Sequence, residues 1–296
     1  IYAELVQVLI RKVRKDFQLD QASEIELDNA VYALDSTTID LCLNVFWWAK
    51  FRKHKGAIKV HTLLDVKCEI PCFVHLSDGA THDVKVLDLL EFQADAFYVM
   101  DRGYIDWKRL YSIHKNHAFF VIRAKQNLAF RRTTSRKVDK STGLRCDQTI
   151  YLTGHYAKKN YPSPLRRIKF YDAEHKQTYV YLTNHFEVEA LQVAILYLNR
   201  WKVEIFFKWI KQHLKIKVFW GESPNAVKTQ IWVAICTFVL VAMMKKKLKI
   251  AHSMNDILQI LSVSAFDKTP VNQLFKPGDK NAENDKTCNQ LNLFDL

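Results

Sequence analysis

Three acidic residues occupy positions from which carboxylates can work together. Asp35 follows the apolar run Ala30-Val-Tyr-Ala-Leu34, and Asp101 follows Ala96-Phe-Tyr-Val-Met100. Glu204 lies inside Tyr197-Leu-Asn-Arg-Trp-Lys-Val-Glu-Ile-Phe-Phe-Lys-Trp-Ile-Lys211. The first two runs read as buried strands with an aspartate at the carboxyl end, and the third reads as a helix. Such a set can hold two divalent cations about 3.5–4 Å apart, serving both the attacking and the leaving oxygen of a phosphoryl transfer. Mg2+ suits carboxylate oxygens and keeps several of its waters, so three carboxylates and a phosphate suffice.

The helix carries more than its acid. At about 100° per residue, Tyr197, Arg200, Glu204, Lys208 and Lys211 fall within an arc of roughly 80°. Leu198, Val203, Ile205, Phe206, Trp209 and Ile210 form an apolar side for packing, and Trp201 is assigned to the core. A polar stripe alone describes a solvated face with i,i+4 pairs equally well. The two upstream aspartates shift that balance. Asp40, Asp65, Asp78 and Asp83 also fall near the expected sheet and compete as ligands. Asp78 sits in a Ser-Asp-Gly turn that favours aspartate for backbone reasons alone, and His82 reads as a structural helix-start residue.

These residues lead to a resemblance. Tyr197-x2-Arg200-x3-Glu204-x6-Lys211 resembles the YREK motif of the IS4 family of bacterial insertion-sequence transposases, DDE enzymes with a ribonuclease-H-like core. Ala33-Leu34-Asp35-Ser36-Thr37 resembles the family's first-Asp region, and Met100-Asp101-Arg102-Gly103-Tyr104 its second. Ser77-Asp78-Gly79-Ala80-Thr81-His82-Asp83 resembles its DGxxHD stretch, and the tract from Phe206 to Gly221 fits the same family. The similarity runs from about residue 28 to about residue 250.

The resemblance implies a chemistry. Asp35 bridges two Mg2+ ions, for which Mn2+ can substitute, while Asp101 and Glu204 each complete one site. Tyr197, Arg200 and Lys211 hold DNA phosphates beside the scissile bond, with Lys208 a lesser candidate. The reaction is cut-and-paste transposition: water nicks one strand, the freed 3′-OH closes a hairpin, the hairpin reopens and the 3′ ends join target DNA. The implied partners are double-stranded DNA, as element ends and target, and a second copy in a synaptic homodimer. The setting is the bacterial cytoplasm at the nucleoid.

The elements that must position these residues read as α/β: a ribonuclease-H-like mixed sheet flanked by helices, with a β-rich insertion before the helix of Glu204. Strands are expected at about 30–38, 57–66, 70–77, 96–100 and 118–123, and helices at about 82–92 and 104–116. Residues 1–27 read as the remnant of a longer helical N-terminal region, since the chain begins at Ile1. Residues 28–124 and 187–250 form the core, 125–186 the insertion, and 251–296 a C-terminal helix and polar tail. Within the insertion, 149–152, 167–171 and 178–183 are β-rich, whereas 125–145 shows no strong periodicity. In the family the insertion shapes the DNA side of the active site; a plain extension of the sheet is the competing reading.

Bulk properties agree. The chain has 296 residues, 49% of them hydrophobic, and a net charge of +13, which suits a polyanionic partner. Trp47, Trp48 and Arg52–Lys55 form an aromatic and basic loop that could stack on a distorted strand or simply be exposed. The six cysteines form no CxxC pair and read as reduced thiols. Ile231–Met244, with 14 residues, reads as a buried helix, and no membrane partner is expected. Two other readings stand beside the transposase: a catalytically inactive DNA-binding remnant, and a two-carboxylate sugar hydrolase, which the basic balance disfavours.

Overall fold

The computed structural model describes residues 1–18, 27–52, 55–213, 219–264 and 266–275. A helix, α1 (Tyr2–Gln18), precedes β1 (Val31–Leu41), β2 (Lys50–Arg52), β3 (Lys55–Asp65), β4 (Ile70–Asp78) and β5 (Phe97–Met100). Then come α2 (Trp107–Lys115), β6 (Phe119–Arg123), β7 (Phe130–Arg136), β8 (Leu144–Leu152), α3 (His155–Asn160), β9 (Leu165–Asp172) and β10 (Gln177–Thr183). Helices α4 (Ala190–Leu198), α5 (Trp201–His213), α6 (Pro224–Lys247), α7 (Met254–Val263) and α8 (Val271–Leu274) complete the order.

Among the described residues the strands form one sheet, ordered β2-β3-β1-β5-β6-β10-β9-β8-β7, with β4 also paired to β3. The run β4-β3-β1 is antiparallel, and β1-β5-β6 is parallel. This three-antiparallel, two-parallel order is the ribonuclease-H-like arrangement. Strand β5, with four fully buried residues, can only be central. Strand β4 is an edge, which lets Pro71 sit at a bulge without breaking a ladder on both sides.

Side chains alternate across the sheet. Tyr32, Leu34, Tyr98, Met100, Phe120 and Ile122 face one way, into a core with Leu110 and Ile113 of α2. The other face is covered by α4, over β5, β6, β8 and β9, and by α5, over β1 and β3.

Several elements depart from the sequence expectation. The segment at 82–92 is a seven-residue 3-10 turn, Asp83–Leu89, rather than an α-helix. Helix α2 begins only at Trp107, where the Asp106 carboxylate accepts from the Arg109 N–H at 3.0 Å and fixes the start. Strand β7 lies in the tract without periodicity: six of its seven residues are exposed, so no apolar alternation marks it. Helix α6 extends to 24 residues, beyond the 14-residue apolar stretch, and is long and apolar enough to cross a membrane by length and composition. Val227, Ile231, Ala234, Ile235, Phe238 and Val239 are nonetheless buried on one of its faces, as in a core helix.

Residues Ile1–Leu240 form one compact unit and Val241–Leu296 a second. The second packs Val241, Ile250, Ile257 and Phe275 together, and its α7 opens with a Ser253–Asp256 capping box. The tail beyond 275, with Cys288, and the Arg52–Lys55 side chains lie outside the described residues. Cys42, Cys68, Cys72, Cys146 and Cys236 are free thiols.

Candidate active site

Strand register brings the two aspartates together. Leu34 of β1 pairs with Met100 of β5 in parallel, at the last pair of that ladder, so Asp35 and Asp101 follow on neighbouring chains, which run roughly 4.7–4.9 Å apart in a sheet. Asp35 does not end its strand as the sequence suggested: β1 runs on to Leu41 against β3. Leu34 and Met100 point into the core, so the aspartates point to the opposite face, where α4 and α5 lie. Glu204 enters from the first turn of α5. All three carboxylates line one cleft of ≈ 930 Å³, with Arg102, Arg123, Tyr197, Arg200 and Trp201 among its walls.

The stripe of polar residues does not run along one unbroken helix. Asn199 ends α4, its side-chain amide donating to the Ile195 carbonyl at 2.9 Å. The N–H groups of Arg200, Lys202 and Val203 then bond three residues back, tightening the backbone between α4 and α5. Arg200 therefore sits in a tight turn. Its Nη1 donates to Asp35 Oδ2 at 2.8 Å, and its Nη2 to Glu204 Oε1. Tyr197 is buried, stacks on Tyr181 with centroids 4.7 Å apart, and reaches Asp101 Oδ1 at 3.3 Å through its hydroxyl.

Arg200 and Tyr197 thus engage the carboxylates themselves, not solvent. Lys211 donates to the Thr38 carbonyl at 2.8 Å, tying α5 to β1, and Lys208 is exposed on α5. Trp201, assigned to the core from sequence, is 60% exposed and walls the cleft, because it lies on the same side of α5 as Glu204, Ile205 and Lys208. Ile205 and Leu198, assigned to the packing side, are also exposed.

Electrostatics follow from this geometry. Burial pushes the Asp35 carboxyl up to about 6, with Glu204 and Asp101 adding to the rise, while Arg200 and the Ser36 N–H hold it back. Asp35 is therefore ionised at neutral pH and paired to the guanidinium. Burial lifts the Tyr197 phenol to about 12, so it keeps its proton and donates to Asp101.

A further layer fixes Asp35. Ser36 Oγ donates to Asp83 Oδ1 at 2.6 Å, and Lys59 Nζ donates to the same oxygen at 3.1 Å. Asp83 is thus a strut behind β1. Asp78 accepts from the Thr81 N–H at 2.7 Å and closes its own turn, and Asp65 accepts from the Lys67 N–H at 3.1 Å. Neither these residues nor Asp40 line the cleft with Asp101 and Glu204. His82 is exposed and precedes the 3-10 turn.

The donor set suits a hard divalent ion: three carboxylates at one cleft, two already gathered around a cation, the Arg200 guanidinium. As the side chains stand, no three His, Cys, Asp or Glu groups among the described residues converge to hold a metal. Sequence reasoning missed Arg102 and Arg123, although both sit at strand ends on the same edge of the sheet as the aspartates.

Residues 26–240 match the transposase DDE domain family. The chain belongs to the DDE transposases. This DDE transposase is 30% identical over 266 residues to the protein named transposase y4zB of Sinorhizobium fredii, covering 88% of this chain and 71% of that one. It is 31% identical to the protein named transposase for insertion sequence element IS5377 of Geobacillus stearothermophilus, over 70% of this chain and 54% of that one. A third relative, named transposase for insertion sequence element IS4SA of Synechocystis, is 23% identical over 90% of this chain and 74% of its own. The piggyBac transposase in a synaptic complex with hairpin DNA aligns with a TM-score of 0.46 and 11% identity, over 80% of this chain and 52% of that one. The chain thus spans about half of the IS5377 protein and of the piggyBac chain.

Proposed function

We propose that this DDE transposase performs cut-and-paste transposition of an insertion sequence with Asp35, Asp101 and Glu204 as its metal ligands, and that it is of the IS4, YREK-bearing kind. The observation that supports the reading is that these three carboxylates, from β1, the residue after β5 and the first turn of α5, line a single cleft. Mg2+ bound there supplies charge neutralisation at the scissile phosphate and an activated oxygen nucleophile.

The chain's own residues do the rest. Ser36 holds Asp35 through its N–H, and the Asp83–Lys59 strut holds Ser36. Tyr197 orients Asp101. Arg200 leaves the carboxylates to take a DNA phosphate, for which its planar fork is suited. Exposed Trp201 and Lys208 flank the entering DNA. The implied working form is a homodimer on double-stranded DNA at the nucleoid.

The order of steps is testable with DNA carrying the element's own ends, followed on denaturing gels with Mg2+. A first-strand nick, then a hairpin, then an open 3′ end is the expected series. Double-strand breaks with no hairpin at any time would replace cut-and-paste through a hairpin by another route.

A further inference from the structure

Resting on the transposase reading, we propose that a basic trough leading out of the cleft carries an unpaired DNA strand away from the scissile phosphate. The register that aligns the aspartates extends one strand further. Met100 of β5 pairs with Ile122 of β6, so Arg123 is the neighbour of Asp101, just as Asp101 is of Asp35. Where the parallel pairing of β1, β5 and β6 ends, Asp35, Asp101 and Arg123 follow side by side, and all three line the main cleft. The catalytic edge changes sign at Arg123.

Two smaller clefts continue from there, and both share Arg102 with the first. One, of ≈ 520 Å³, runs along Asp101, Arg102, Lys125, Gln126 and Asn127. The other, of ≈ 150 Å³, is walled by Arg102, Arg123, Lys125, Phe130 and Arg167. Arg102, Arg123, Lys125 and Arg167 carry four positive charges, and none forms an ion pair among the described residues. The fourth carboxylate lining the main cleft, Asp172, lies 2.8 Å from His175 Nδ1.

Shape and chemistry select the occupant. Arg123 lies 5.0 Å above the Tyr179 ring and Arg167 5.0 Å above the Phe130 ring, so flat guanidinium–aromatic pairs line the path. Such surfaces accept the faces of unpaired bases, while the cations follow the phosphates. A duplex shows only base edges in its grooves and cannot use those faces. The Gln126 and Asn127 amides offer hydrogen bonds without charge.

The test is fluorescence-anisotropy binding, at several salt concentrations, of a blunt duplex and of the same duplex with a single-stranded overhang. Lys125→Ala combined with Arg167→Ala should weaken overhang binding about tenfold. It should also lower its salt slope by about 1.4, from roughly 0.7 per cation lost on a single strand, and leave blunt-duplex binding unchanged. Lys125→Ala alone, at an exposed position, should lower the slope by about 0.7. Lys158→Ala with Lys159→Ala, on exposed positions of α3, should change neither. Equal losses on both DNAs, or no loss on the overhang, overturn the trough while leaving the transposase reading intact. Binding of neither DNA by the unaltered chain overturns both.

Discussion

The guanidinium of Arg200 lies 2.8 Å from Asp35 and also bonds Glu204, so a protein cation joins the β1 carboxylate to the α5 carboxylate. The two are 169 positions apart in the chain (204 − 35), and Arg200 bonds both. A divalent ion must compete with this guanidinium. Arg200→Ala is therefore expected to raise Mn2+ affinity in the absence of DNA about tenfold, equivalent to ~1.4 kcal/mol, while strand cleavage falls. Manganese electron paramagnetic resonance titration reads the first effect, and plasmid nicking the second. Mn2+ affinity unchanged or weakened in the variant would remove Arg200 from this role.

Tyr197 separates packing from positioning. Tyr197→Phe keeps the stack on Tyr181 but loses the hydroxyl 3.3 Å from Asp101. Its melting temperature should stay near that of the parent, and nicking should drop about tenfold, or ~1.4 kcal/mol of transition-state stabilisation. Tyr197→Ala should also destabilise the fold by about 3–5 kcal/mol, as large-to-small core changes do. Full activity in the phenylalanine variant would make the residue purely structural.

A buried ion pair ties β8 to β9. Arg166 donates to both Asp147 oxygens, at 2.9 and 2.8 Å, and to the Val188 carbonyl ahead of α4. Both charged side chains are 4% exposed. Asp147→Ala should cost about 3–5 kcal/mol, because it strands a buried guanidinium. Asp147→Leu with Arg166→Met should recover most of that loss, which denaturant melts can measure.

His61 gives the fold an acid limit. It is fully buried on β3, its Nε2 within 2.8 Å of Ser77 Oγ, and burial lowers its pKa to about 4, against the pull of Asp83 and with help from His75 and Lys59. The unfolded chain binds this proton near pH 6.5 and the folded chain only near 4. Between those values the unfolded state holds more protons, so stability is full above 6.5 and declines as pH falls toward 4. The expected loss by about pH 4 is ~3 kcal/mol. His61→Gln should flatten the curve over that window in urea melts, and an unchanged slope would assign the acid sensitivity elsewhere.

What could be read from the sequence divides along physical lines. The two aspartates were legible because β1 and β5 are apolar on both faces up to Leu34 and Met100; the acid marks the end of β5 but only the end of the fully buried stretch of β1, which continues to Leu41 along β3. Asp35, Asp101 and Glu204 line one cleft. The break at Asn199 was hidden, since 100° periodicity runs through it almost undisturbed and only a side-chain bond to Ile195 reveals it. Strand β7 was invisible because an exposed edge strand needs no apolar alternation. Arg123 was overlooked because its meaning lies in register with β5, and register belongs to the sheet, not to the local sequence.

The central claim is that Asp35, Asp101 and Glu204 form one metal-dependent strand-cleaving centre. Its most direct test is nicking of supercoiled plasmid with Mg2+ or Mn2+, comparing the parent chain with Glu204→Gln. Metal-dependent nicking by the parent, reduced at least a hundredfold (~2.7 kcal/mol) in the variant, is the predicted result. Equal nicking by the two would contradict the account, because Glu204 would then contribute nothing to the chemistry of the cleft it lines.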